Sequence, residues 1–124
     1  MLQKETIVKV TDNSGAKKLR VIGLPGNSRK RFAKLGEIIV GAVHGAQPGG
    51  IISNRQIVTA VIVRTRKERR RADGSYIRFD DNACVILQSK EVKDPKGTRI
   101  FGPIAKEVKE AGFNKIASLA EELY

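Results

Sequence analysis

Along the first 88 residues, short runs rich in valine and isoleucine alternate with clusters of turn-forming residues. The runs Thr6 to Thr11, Lys18 to Gly23, Glu37 to His44, Gln56 to Thr65, Ser75 to Phe79 and Ala83 to Leu87 each predict a β-strand. Asp12-Asn13-Ser14-Gly15, Pro25-Gly26-Asn27, Pro48-Gly49-Gly50 and Asp73-Gly74 punctuate them. Val8 and Val10 alternate with Lys9 and Thr11, so one face of that strand packs inward while the lysine stays in water. Ile57 to Val63 is apolar at every position but Thr59, the pattern of a central strand covered on both faces. Short strands at this spacing predict a small barrel or sandwich.

After Leu87 the pattern changes. Lys90 to Gly97 is polar, carries Pro95 and reads as a surface turn. Pro103 suits the first turn of a short helix, Ala105 to Glu110 are good helix formers, and Gly112 is placed to cap the C-terminal end. In Lys115 to Tyr124, the three- and four-residue spacing of Ile116, Leu119 and Leu123 puts all three on one face of a second helix. A length of 124 residues fits one domain. Residues 1–88 form its β part and residues 89–124 a loop with short helices.

The formal charge of +11 calls for an anionic partner. Residues 1–85 hold 17 basic and 7 acidic side chains, residues 86–124 hold 7 and 6, so the binding charge lies in the β part. The apolar runs fall far short of the ~20 residues that cross a bilayer. MLQKETIVKV has no apolar core of a secretory signal, so a cytoplasmic location without membrane association is expected.

Two tracts concentrate the cations. The first holds Lys17, Lys18, Arg20, Arg29, Lys30, Arg31 and Lys34 without an acid, on a strand and the loop after it. The second runs from Arg64 to Arg71 with Arg64, Arg66, Lys67, Arg69, Arg70 and Arg71 against Glu68 alone, and ends at Asp73-Gly74, read as a two-residue hairpin turn. A ribbon with net charge +5 over eight residues repels itself, and phosphate contacts relieve that repulsion. With Arg78 on the returning strand, these residues are the expected RNA contacts. Few of the six aromatic residues look exposed by pattern, which favours structured RNA over single strands read by stacking.

Enzyme chemistry finds no support. Cys84 lies in an apolar run and reads as a core residue. The single His44 has no second imidazole with which to share a metal, and Asp80-Asp81 reads as a turn. Neither a cofactor nor a catalytic set is expected.

From Ala60 the chain reads AVIVRTRKERRRADGSYIRFDDNACVI. This closely resembles the signature of the universal large-subunit ribosomal protein number fourteen family. The resemblance extends to Asp12-Asn13-Ser14-Gly15-Ala16, to Gly97 through Pro103, and to Lys115-Ile116 and Ser118-Leu119-Ala120. It implies an all-β fold, a small five-stranded β-barrel of OB-like type with a short C-terminal helical region, and a structural role in the large ribosomal subunit. It further implies contact with large-subunit ribosomal RNA near the intersubunit face, with neighbouring ribosomal proteins and with small-subunit ribosomal RNA. A ribosome-silencing factor would dock on a surface containing Thr98, Arg99 and Lys115. The chain departs from the family pattern at Glu68-Arg69, Ala72, Ser53 to Gln56 and Glu121, the last replacing a usual proline, which predicts a longer terminal helix. A freestanding barrel-fold nucleic-acid chaperone is the alternative, and it would need exposed stacking aromatics.

Overall fold

The computed structural model describes residues 2–26, 31–89 and 91–124. Five strands close a barrel: β1 (Ile7–Val10), β2 (Ala16–Gly23), β3 (Ile38–Ala46), β4 (Ile57–Arg64) and β7 (Ala83–Ile86). Neighbours run antiparallel except β1 and β7, whose parallel pairing of Lys9 with Ala83 and Val10 with Cys84 shuts the cylinder. Between β4 and β7 a two-stranded ribbon projects, β5 (Arg69–Arg70) with β6 (Tyr76–Ile77). The remainder is β8 (Pro103–Ile104), α1 (Glu107–Glu110), α2 (Asn114–Leu119) and β9 (Glu122–Leu123). Among the described residues no helix is long and apolar enough to cross a membrane.

The alternation of valine and lysine in β1 has the expected outcome, with Val8 and Val10 buried and Lys9 exposed. Inside the barrel, Val8, Leu19, Val21, Ile39, Ile62 and Cys84 pack as one cluster. At the tightest point, a Cβ on Gly41 of β3 would sit 2.6 Å from Leu19 Cγ, so only glycine lets the strands approach this closely. The opposite faces of β7 and of β4 from Ala60 onward are also covered, as the apolar run in β4 implies, whereas Ile57 at the start of β4 stays exposed. Val61, Val63 and Val85 meet Ile104, Phe113 and Ile116 in a second cluster outside the barrel. The C-terminal segment therefore completes the core.

Three local expectations are corrected. The hairpin turn has three residues, Ala72-Asp73-Gly74, between the pair Arg71 and Ser75, whose N–H to O distance is 2.8 Å. Gly74 alone takes positive φ, 89°, and Asp73 instead accepts hydrogen bonds from the Ser75 amide and hydroxyl at 3.0 and 2.6 Å. An aspartate satisfied in this way gains nothing from the left-handed conformation a two-residue turn demands. Pro103 lies in β8, not in a helix, because the Ala105 amide is drawn to the Val63 carbonyl of β4 at 3.1 Å. Gly112 does take positive φ, 98°, just after α1. The terminal helix is not lengthened. It stops at Leu119, Ala120 is extended (ψ 144°), and β9 pairs in parallel with β8. Leu123 is thereby removed from the face it was expected to share with Ile116 and lies 40% exposed.

Candidate nucleic-acid interface

The barrel turns the cations of β2 outward. Lys18 stands opposite Lys9 of β1 and His44 of β3, all three exposed, so the closed sheet carries a row of basic and polar side chains across its outer face. A lone lysine on an alternating strand carries no binding signal by itself, and strand pairing supplies Lys9 with its basic neighbour. Arg20, in the next row, has Ile7 and Ala42 opposite it and reaches Glu5 at 4.0 Å. Lys17, Arg31 and Lys34 are exposed as well. Arg29 and Lys30 lie outside the described residues.

The second tract divides into solvated and anchored members. Arg66, Lys67, Arg70 and Arg78 are exposed. Lys67 pairs with Glu68 at 3.0 Å, and the Arg66 amide is held by Asn82 Oδ1 at 2.8 Å, which fixes the backbone while leaving the guanidinium in water.

Arg64 is different. It is 6% exposed, and its guanidinium points inward. Nη2 donates to Asp81 at 3.2 Å and Nε lies 2.9 Å from the other oxygen of that carboxylate as an ion pair without hydrogen-bond geometry, while Nη1 donates to the Phe101 and Pro103 carbonyls at 3.3 and 3.1 Å. One buried ion pair and three hydrogen bonds occupy the guanidinium, which ties β4 to the C-terminal segment. Asp81, expected as a turn residue, is the acid of this tie.

Arg69 and Arg71 converge on Glu107 of α1, whose side chain is 9% exposed. Arg71 Nη2 reaches Glu107 Oε1 at 2.9 Å and also donates to the Tyr124 backbone oxygen. Arg69 Nε lies 3.7 Å from Glu107 Oε2, and its Nη1 donates to the Leu35 carbonyl at 3.2 Å. These two arginines clamp the ribbon to the body and aim Arg70, between them in sequence, into solvent.

Thr98 and Arg99 occupy an exposed loop that Asn13 organises. Asn13 Oδ1 accepts the Thr98 and Arg99 amides at 2.8 and 3.0 Å, and its Nδ2 donates to Thr98 Oγ1 at 3.0 Å. Arg99 lies over the Phe101 ring, 5.3 Å from its centroid, a cation–π contact that limits where the guanidinium points. Lys115 is exposed on α2. Its neighbour Ile116 and the Ile100 beside Arg99 are buried in the same outer cluster, so one packed layer carries both exposed groups.

Four aromatic residues are exposed, against the expectation of few: Phe32 (41%), Tyr76 (65%), Phe101 (44%) and Tyr124 (52%). Cys84 is fully buried, and burial together with nearby Asp12 pushes its thiol far above the ordinary range, as a core thiol requires. Among the described residues no group of three histidine, cysteine or acidic side chains is arranged to hold a metal ion. The chain matches the family model of ribosomal protein L14p/L23e across residues 1–124.

Proposed function

The chain belongs to the ribosomal protein L14p/L23e family and so to the large ribosomal subunit, and from that premise we propose that it holds large-subunit ribosomal RNA through two sets of solvated cations. One set is Lys17, Lys18, Arg31 and Lys34 on and after β2. The other is Arg66, Arg70 and Arg78 around the ribbon. The observation that carries this reading is the division of the basic tract. Arg64, Arg69 and Arg71 are engaged by Asp81 and Glu107, whereas the seven cations just named enter no ion pair among the described residues. Outward cations without an ion-pair partner are available to neutralise phosphates, and this is scaffold chemistry, not catalysis.

The nearly neutral C-terminal layer suits a different partner. Thr98, Arg99 and Lys115 would face the small subunit and its RNA, or else a silencing factor that occupies the same surface. Arg99 offers a planar fork and Lys115 a mobile cation, which serve a phosphate or a carboxylate equally.

The test is sedimentation of tagged protein from cell extracts through a high-salt gradient. Wild type should co-migrate with large subunits, and Arg66→Glu combined with Arg70→Glu should move a large fraction to the top of the gradient. Wild-type protein that stays at the top would refute the scaffold reading. For the second surface, capture of purified silencing factor should weaken about tenfold in Arg99→Glu or Lys115→Glu, or ~1.4 kcal/mol. Unchanged capture in both folded variants would place docking elsewhere.

A further inference from the structure

Tyr76 on β6 and Tyr124 after β9 are far apart in sequence, yet they line one groove. Two contacts bring the tail there. The Tyr124 amide donates to the Ile104 carbonyl at 2.9 Å, continuing the β8–β9 pairing, and Arg71 of the ribbon donates to the Tyr124 backbone oxygen. Between ribbon and tail lies a space of about 670 Å³, within the ~300–1,000 Å³ range of small-ligand sites. Its apolar lining includes Ile77, Phe79 and Pro103.

The surface chemistry of this groove is mixed in a specific way. Tyr76 and Tyr124 are 65% and 52% exposed, and Leu123 is 40% exposed, so broad apolar faces are left in water. The charged side chains lining the groove are Arg71, Arg78 and Lys106, and no aspartate or glutamate joins them. Glu122 accepts the Tyr124 hydroxyl from outside that lining, and Glu107 is occupied by Arg71. An apolar peptide would cover the rings but desolvate the cations without a partner, at a cost. A fully paired RNA helix offers phosphates but keeps its base faces stacked internally. A ligand with a flat π-face and a phosphate beside it satisfies both halves. Arg78 also lines an adjoining cleft with Arg66 and Asp80 and another with Lys9, Asp80 and Asp81, so the cations of the groove itself, not a continuous basic path beyond it, carry its positive character.

We propose that this groove receives one unpaired base of the bound RNA, stacked on Tyr76 or Tyr124, with the flanking phosphates held by Arg78 and Lys106. The proposal rests on the reading of the chain as an RNA scaffold and adds a specific contact to it: the RNA is held by its phosphates and also pinned by a nucleotide out of the helix.

The protein has no tryptophan and two tyrosines, so its tyrosine emission reports on this groove alone. The whole protein is titrated with two probes, an RNA hairpin carrying a single bulged adenosine and the same hairpin fully paired. The expected result is saturable quenching by the bulged probe and tighter binding to it than to the paired one. Tyr76→Ala or Tyr124→Ala should weaken the bulged probe about tenfold or more with the paired probe unaffected. Phenylalanine at the same position, which keeps the ring, should retain affinity, and circular dichroism monitors folding. Equal binding of both probes without quenching would overturn the groove assignment while leaving phosphate-based RNA binding standing. Failure of wild type to bind either probe would overturn both. Tyrosine emission that depends on protein concentration without RNA, and loses that dependence in Tyr76→Ala, would assign the groove to a second copy of the chain and likewise overturn the proposal.

Discussion

Glu107→Ala removes the carboxylate on which the ribbon is clamped. In the wild type, Glu107 receives Arg71 Nη2 at 2.9 Å and faces Arg69 Nε at 3.7 Å, with side-chain exposures of 9%, 18% and 40% respectively. Taking one partner from a buried ion pair costs roughly 3–5 kcal/mol, because the cation left behind has lost its water and its counter-charge. Here the lower end applies. Arg69 is open enough to rehydrate, and Glu107 Oε2 has no hydrogen bond among the described residues, so the native cluster is not fully satisfied to begin with. The expected loss is therefore about 3 kcal/mol, a large share of the ~5–15 kcal/mol that hold a domain together. With a urea dependence of about 2 kcal/mol per molar, the midpoint should fall by roughly 1.5 M. Urea unfolding followed by circular dichroism provides the measurement, with Glu110→Ala on the exposed side of the same helix as the control, expected within about 0.5 kcal/mol of wild type. Arg71→Ala and the double variant complete a cycle whose coupling energy should exceed about 1 kcal/mol. If Glu107→Ala unfolds within 0.5 kcal/mol of wild type, or the coupling is near zero, the clamp is not what holds the ribbon.

Gly102 has φ of 80°, and a Cβ there would lie 2.4 Å from Arg64 Nη1. Gly102→Ala should then destabilise by roughly 2 kcal/mol or more, from backbone strain and a displaced guanidinium together, and a neutral result in thermal unfolding would show that Arg64 does not need this passage. Cys84 should resist a thiol reagent in the native protein and react on unfolding, and fast native modification would contradict its burial. Because the folded state raises the Cys84 pKa, its contribution to stability is intact below the unfolded thiol value, near 8.5, and declines as pH rises beyond it. Cys84→Ala should remove that part of the alkaline slope in urea midpoints measured from pH 7 to 10.

The strands, their order of burial and the outward lysines were legible because alternation is a property of neighbouring residues. Val8, Lys9 and Val10 need no distant partner to decide which side faces water, and the stretch Ile57 to Val63, apolar but for Thr59, announces a strand packed on both sides, which holds from Ala60 onward while Ile57 stays exposed. The family resemblance supplied the barrel's closure and strand number, which the runs alone left open between barrel and sandwich. The fate of individual arginines lay beyond that reach. Arg64 and Arg66 are both basic residues of one tract, yet Arg64 turns inward because β7 and the C-terminal segment bring Asp81 and two carbonyls to it, groups 17 to 39 positions away. Arg71 is claimed by a carboxylate 36 positions on. The tail shows the same competition: local spacing favoured a helix through Leu123, but a short helix is marginal on its own, and pairing with β8 overrode it. That override carries Tyr124 to Tyr76 and makes the groove. Periodicity reports the local preference of a segment, whereas ion pairs, parallel strand pairing and grooves are decided by segments that meet only when the chain closes on itself.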